Sequence, residues 1–259
     1  MADPNSRSRP DHEGYCTAFE AEIGRLLGAL SGADLTTRVP TCPAWSLGDL
    51  LRHVGTVHRW ADHIVRDKVM ERVRSADLGI PTPGDRQVTA WLADGAETLL
   101  ATLRAAGPDQ PVWAWGADHY TRFWPRRMRF EALVHRADVE LALGRRPEIE
   151  PATAADGVDE FLTILPHARW VTRNLENLYG QNGETLHLHA TDVAGEWMIA
   201  IGPDGIAWEY GHGKGTVAVR APAESLLLLL YGRIAPDDDS IALFGDRALL
   251  DRWLTHSAF

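Results

Sequence analysis

Cysteine is nearly absent, with two in 259 residues. Cys16 falls in a helical segment and Cys42 in a loop, too few and too far apart for a disulfide framework, so a reducing cytoplasm is the expected location. Long apolar runs are also missing. The run Leu226 to Leu230 is far short of the ~20 residues that span a bilayer. Residues 1–10 are polar and lack the apolar core of a secretory signal. Positive charge is in deficit: the formal net charge of −10 argues against nucleic acid or an anionic membrane as a main partner, although a few arginines can still hold an anionic substrate. What remains is ordinary for a soluble enzyme or binding protein, 45% hydrophobic and 24% charged. The length suits two domains and can bury a large core without covalent staples.

The first 150 residues carry helical periodicity. Phe19, Ile23, Leu26, Leu27 and Leu30 mark a helix over 14–30. Ser46, with Asp49 three residues on, opens a second helix in the manner of a capping box. It is expected to run to about Val73 with Leu47, Leu50, Leu51, Val54, Val57 and Trp60 inward. Residues 89–103 form a third, ended by Gly107-Pro108, and a fourth starts near Pro125 and stops at Gly144. Four amphipathic segments predict a four-helix bundle. Beyond Pro151 the pattern changes. A helix over 154–165 precedes strand-like runs at 184–189, 197–201 and 216–219, with a turn at Gly202-Pro203-Asp204-Gly205. A leucine-rich helix (223–231), a short strand (241–244) and a last helix (247–255) complete an α+β half.

Glu131 and His135 are four apart on the fourth helix, which puts both side chains on one face, a turn apart. Taken alone, Glu-x-x-x-His is a common surface pair. Here Phe130, Leu133 and Val134 flank it, and a buried carboxylate needs a compensating charge. His53, among Leu50, Leu51, Val54 and Val57, is the natural third ligand, and two imidazoles with one carboxylate suit a catalytic divalent ion with open positions. His58 and His63 are rotated to other faces and are expected to be partly exposed. His187 and His189 alternate along a strand and share a face, either a second polar site or, the reading preferred here, a solvated face. Trp113, Trp115, Tyr120 and Trp124 are expected to pack a seam between domains rather than wall a pocket.

The run Thr41-Cys42-Pro43-Ala44-Trp45-Ser46-Leu47-Gly48-Asp49-Leu50-Leu51-Arg52-His53 resembles the start of helix 2 in the mycothiol-dependent maleylpyruvate isomerase family, part of the DinB-like metalloenzymes. Residues 130–138 (Phe-Glu-Ala-Leu-Val-His-Arg-Ala-Asp) are similar to that family's second ligand motif. Residues 186–192, 215–219, 229–233 and 244–246 resemble its C-terminal, sterol-carrier-like half. The resemblance implies a DinB-like four-helix bundle in 1–150 carrying the metal site, followed by a smaller α+β domain in 151–259. It implies a zinc-type divalent ion on His53, Glu131 and His135, with an open position for the sulfur of mycothiol. A bound dication deprotonates a thiol of ordinary pKa ≈ 8.5 and yields a nucleophile at neutral pH. It further implies a catalytic arginine, Arg233, whose fork suits a carboxylate of the substrate or of mycothiol. Arg169 and Arg173 are further arginines of that kind.

The function expected from this reading is a mycothiol-dependent S-transferase acting on a small electrophile, with a maleylpyruvate-type cis–trans isomerase as the alternative. A non-catalytic small-ligand-binding protein and a metal-dependent hydrolase are further alternatives.

Overall fold

A computed structural model describes residues 9–116, 118–168, 174–180 and 183–258. They fall into two units, Pro10–Pro147 and a second in which Arg9 joins Glu148–Phe259.

The first unit is built on four helices: α1 (His12–Ala29), α2 (Leu47–Arg66), α3 (Asp85–Ala106) and α4 (Phe123–Ala142). α1 packs along α4 and α2 along α3, and contacts between α1 and α3 and between α2 and α4 complete the bundle. Asp11 caps α1, its carboxylate accepting from Gly14 N at 2.8 Å. The expected capping box of α2 is present: Asp49 N donates to Ser46 Oγ at 3.2 Å and Ser46 N to Asp49 Oδ2 at 3.0 Å. From there Leu47, Leu50, Leu51, Val54, His58, Ala61 and Val65 run as one buried stripe.

α2 stops at Arg66, seven residues before the expected end at Val73. Continuing the stripe by helical steps from Val65 meets Lys68 and Arg72 beside Val69 and Val73, so further turns would bring charge onto the buried side. Lys68 takes a left-handed φ of 53°, and Val69 N turns back to Ile64 O at 3.0 Å. α3 begins four residues earlier than expected, where the backbone carbonyl of Pro83 accepts from Arg52 Nε (2.9 Å) and Asp85 pairs with the same guanidinium. α4 ends as read, with Gly144 at φ 70° beyond its last turn.

The tryptophans expected at a seam pack within the first unit. Trp113, Trp115 and Trp124 gather with Trp60 of α2, ring centroids 5.3–6.2 Å apart, inside the first unit's own core. Two of the polar tips are answered locally: Trp60 Nε1 donates to Val73 O (2.8 Å) and Trp124 Nε1 to Trp113 O (3.1 Å). Tyr120 lies apart at the surface under the Arg122 guanidinium.

The second unit has helix α5 (Pro151–Ile164), strands β1 (Glu184–Ala190), β2 (Glu196–Gly202), β3 (Gly205–Tyr210) and β4 (Val217–Ala221), helix α6 (Ala223–Leu230), strand β5 (Ala242–Gly245) and helix α7 (Arg247–Ser257). The Glu150 carboxylate caps α5 through Ala152 N and Thr153 N. The sheet is mixed, in the order β3-β2-β1-β4-β5, with only the β1–β4 pair parallel. The β2–β3 hairpin turns at Pro203-Asp204 as expected, with Gly205 at φ 150°. Leu186, Leu188, Trp197, Ile199, Val217 and Val219 form one buried face. Leucine-rich α6 packs against β1, β4 and α5. Trp197 Nε1 donates to the buried carboxylate of Asp159 (2.6 Å), which also receives Arg9 (2.8 Å). The fold class is therefore a four-helix region followed by an α+β unit. Among the described residues no helix is long and apolar enough to cross a membrane.

Candidate metal centre

The capping box sets the phase of α2, and two turns on, His53 meets the side of α4 that carries Glu131 and His135. Glu131 Oε1 lies 3.3 Å from His53 Nε2 and 3.3 Å from His135 Nε2. One ligand atom from each of the three residues falls within 4.8 Å of the others. The other carboxylate oxygen, Oε2, takes a 2.9 Å bond from Arg127. His135 is buried, while the His53 side chain is 37% exposed, so the site opens to solvent on the α2 side. The Trp45 ring, 4.9 Å from the His53 ring, packs beside it.

The supports of these three residues were not singled out from the sequence. Asp138, fully buried one turn beyond His135, takes its Nδ1 at 2.9 Å, and Thr41 Oγ1 donates to the other Asp138 oxygen at 2.5 Å. Asp138 thereby fixes the imidazole with Nδ1 as donor and Nε2 turned toward Glu131, the carboxylate–histidine arrangement common in metal sites. The signal was available: Asp138 follows His135 at helical spacing, and Arg127 precedes Glu131 by four.

Burial alone would raise the Glu131 carboxyl, but hydrogen bonds from His135 and His53 and the Arg127 charge hold it well below the usual range. Burial alone would lower His135, but the bonds to Asp138 and Glu131 carry it up to about 9. Glu131 places one carboxylate between the two imidazoles. That donor set fits a divalent cation, with two nitrogens, one oxygen and one histidine already oriented by a carboxylate. Cys16 contributes no nucleophile: burial pushes its thiol up to about 11.

The other histidines depart from expectation. His58 is fully buried rather than partly exposed, because it lies on the α2 stripe between Val54 and Ala61. His63 is part-exposed and pairs with Asp67 at 2.6 Å. His187 is buried and only His189 is half-exposed, against the solvated face expected for both. In the second unit Arg233 ends α6. Its N–H bonds Leu228 O (2.7 Å) and that of Gly232 bonds Leu229 O (2.9 Å), with Gly232 at φ 71°, a Schellman closure. The Arg233 Nη1 donates to Tyr231 O at 2.6 Å. Arg169 and Arg173 lie outside the described residues.

A helical bundle with a two-histidine, one-glutamate cluster across two helices, joined to an α+β unit with a mixed sheet, defines a two-domain class. Residues 16–140 match the family model of the mycothiol maleylpyruvate isomerase N-terminal domain, and residues 152–252 match that of the MDMPI C-terminal domain. The chain belongs to the mycothiol maleylpyruvate isomerase family. Among solved structures, the chain is similar to a mycothiol-dependent maleylpyruvate isomerase at 13% identity and TM-score 0.60, over 94% of this chain and 95% of that one. A histidine-to-alanine mutant of a mycothiol-dependent maleylpyruvate isomerase matches at 12% identity and TM-score 0.61, over the same shares. At such identities the likeness is one of fold. No curated protein matches the chain by sequence.

Proposed function

We propose that the chain is a metal-dependent and mycothiol-dependent cis–trans isomerase of a maleylpyruvate-type substrate, with His53, Glu131 and His135 as the metal ligands. The observation that carries this reading is the convergence of those three side chains on one point, with Asp138 orienting His135. Isomerisation is placed ahead of S-transfer, reversing the order drawn from sequence, because both matched domains and both similar structures carry the isomerase name.

Bound at this point, a divalent ion, zinc by its donor set, would supply the charge that keeps a thiol ionised at neutral pH. The chain's residues do the rest. Glu131 contributes the one formal negative charge among the ligands, and Arg127 keeps its second oxygen engaged. Asp138 and Thr41 hold His135 in a single tautomer. The exposed flank at His53 leaves an approach for thiol and substrate. Arg233 enters this reading as the cation for a substrate carboxylate, on the strength of its motif.

The test is to incubate the zinc-loaded protein with mycothiol and maleylpyruvate and to follow product and free thiol together. Isomerisation regenerates the thiol, so product should accumulate with no thiol consumed, and His53→Ala should abolish it. A stable thioether would instead establish S-transfer. Turnover indifferent to mycothiol would point to a hydrolase using activated water.

A further inference from the structure

The second unit holds another convergence of ligands, far from α2 and α4 in sequence. His187 and His189 project from the same face of β1, and Glu196, paired directly with His189 across the β1–β2 ladder, shares that face. Gly211 N donates to Glu196 O at 3.2 Å, which carries the chain beyond β3 back alongside Glu196 and delivers His212. His189 Nδ1 and His212 Nδ1 lie 2.9 and 2.8 Å from the two oxygens of Glu196. The three imidazole rings stand nearly perpendicular to one another, centroids 5.3–6.4 Å apart. The four ligand atoms fall within 4.8 Å of one another.

Three features distinguish this group from a patch of surface histidines. His187 is buried, yet among the described residues its Nε2 has no hydrogen-bond partner; Glu196 Oε2 is 3.5 Å away. A buried ring nitrogen left without a partner costs stability unless something binds it. The loop that brings His212 is shaped to fit: a Cβ on Gly215 would strike Val217 O and sit 3.0 Å from His187 N, so only glycine lets the chain pass there. The cluster also borders a cavity of about 310 Å³, with Arg220 and the exposed Phe244 on its wall. That cavity leaves room for water or a small anion as a further ligand, on the side where Arg220 adds positive charge.

We propose that His187, His189, Glu196 and His212 form a second binding site for a divalent transition-metal ion, independent of the centre on α2 and α4. Three neutral imidazoles and one carboxylate match zinc, nickel or copper(II) rather than magnesium or calcium, which prefer oxygen ligands. Ligand atoms at ~2.1 Å from one ion can be at most about 4.2 Å apart, so small rotations of the half-exposed His189 and exposed His212 rings close the present spread. β1 and β2 hold the other two residues in register. The site does not rest on the isomerase reading and survives its failure.

The test is a titration of chelator-treated, full-length protein with Zn2+ by calorimetry and with Co2+ by visible absorption. The unaltered chain should take up two equivalents. His53→Ala should keep the equivalent held by the sheet. His189→Ala combined with His212→Ala should lose that equivalent and keep the other. His212→Ala alone, at a side chain 78% exposed and so harmless to folding, should weaken the second step at least tenfold. The proposal is overturned if the His189→Ala, His212→Ala double variant binds as much ion as the unaltered chain. It is equally overturned if His53→Ala binds none, or if His212→Ala leaves the second affinity unchanged.

Discussion

Replacing His58 by leucine should stabilise the protein, and should do so more at pH 5 than at pH 7. The ring is fully buried on α2, edge-on to Phe19 with centroids 5.3 Å apart, and neither nitrogen has a hydrogen-bond partner among the described residues. Burial pushes its pKa down to about 3, with Glu131 opposing the shift. Because the folded value lies below the unfolded 6.5, the unfolded chain takes up a proton that the folded chain refuses. The residue's contribution is intact above pH 6.5 and is lost as pH falls toward 3. Between pH 7 and pH 5 that linkage amounts to about 2 kcal/mol. Removing a buried unsatisfied polar group adds a pH-independent gain of about 1–3 kcal/mol. Urea unfolding of both proteins, with chelator present, isolates the effect, since every other titrating group is common to the two. The gap in unfolding free energy should widen by about 2 kcal/mol on acidification. A gap that stays constant between pH 7 and pH 5 would refute the reasoning, because His58 would then protonate in the folded state as readily as in the unfolded one.

Asp138→Asn keeps the shape beside His135 but removes the orienting charge; zinc affinity measured by competition with a chelator should fall about 10–100-fold. Arg136→Met strips the buried Glu22 of a 2.5 Å partner and leaves it with the more exposed Arg25; thermal or urea unfolding should show a loss of about 3 kcal/mol. Arg233→Lys should raise KM for a carboxylate substrate and leave zinc content unchanged, as read from steady-state kinetics beside metal analysis, because a lysine lacks the planar fork.

Where local chemistry sets structure, the sequence was readable. Ser46 and Asp49 announce the start of α2, Gly144 the end of α4 and Gly205 the hairpin, each through backbone groups that only those residues satisfy. Errors arose where burial by distant residues decides. Val69, Met70 and Val73 prolong the apolar pattern beyond the true end of α2, while Lys68 and Arg72 interrupt the side that would face the core. His58 is rotated away from His53 yet lies on the buried stripe, because Val54 and Ala61 frame it. The tryptophans of residues 113–124 find their partner in Trp60, more than 50 residues earlier, which local pattern does not reveal. Of the candidate centre, the three converging side chains could be named from spacing and motif. Asp138, three residues after His135, is legible in the same helical spacing, whereas Thr41 is not, because its bond to Asp138 crosses 97 positions. His212 is likewise tied to Glu196 only through the path of β3.

The central claim is that His53, Glu131 and His135 hold a metal that in turn receives mycothiol. Calorimetry of mycothiol against the zinc-loaded protein, the chelator-treated protein and zinc-treated His53→Ala tests it most directly. Saturable binding is expected for the zinc-loaded protein alone, with a proton released as the thiol ionises. Equal binding by the chelator-treated protein, or no binding by the zinc-loaded one, would contradict it.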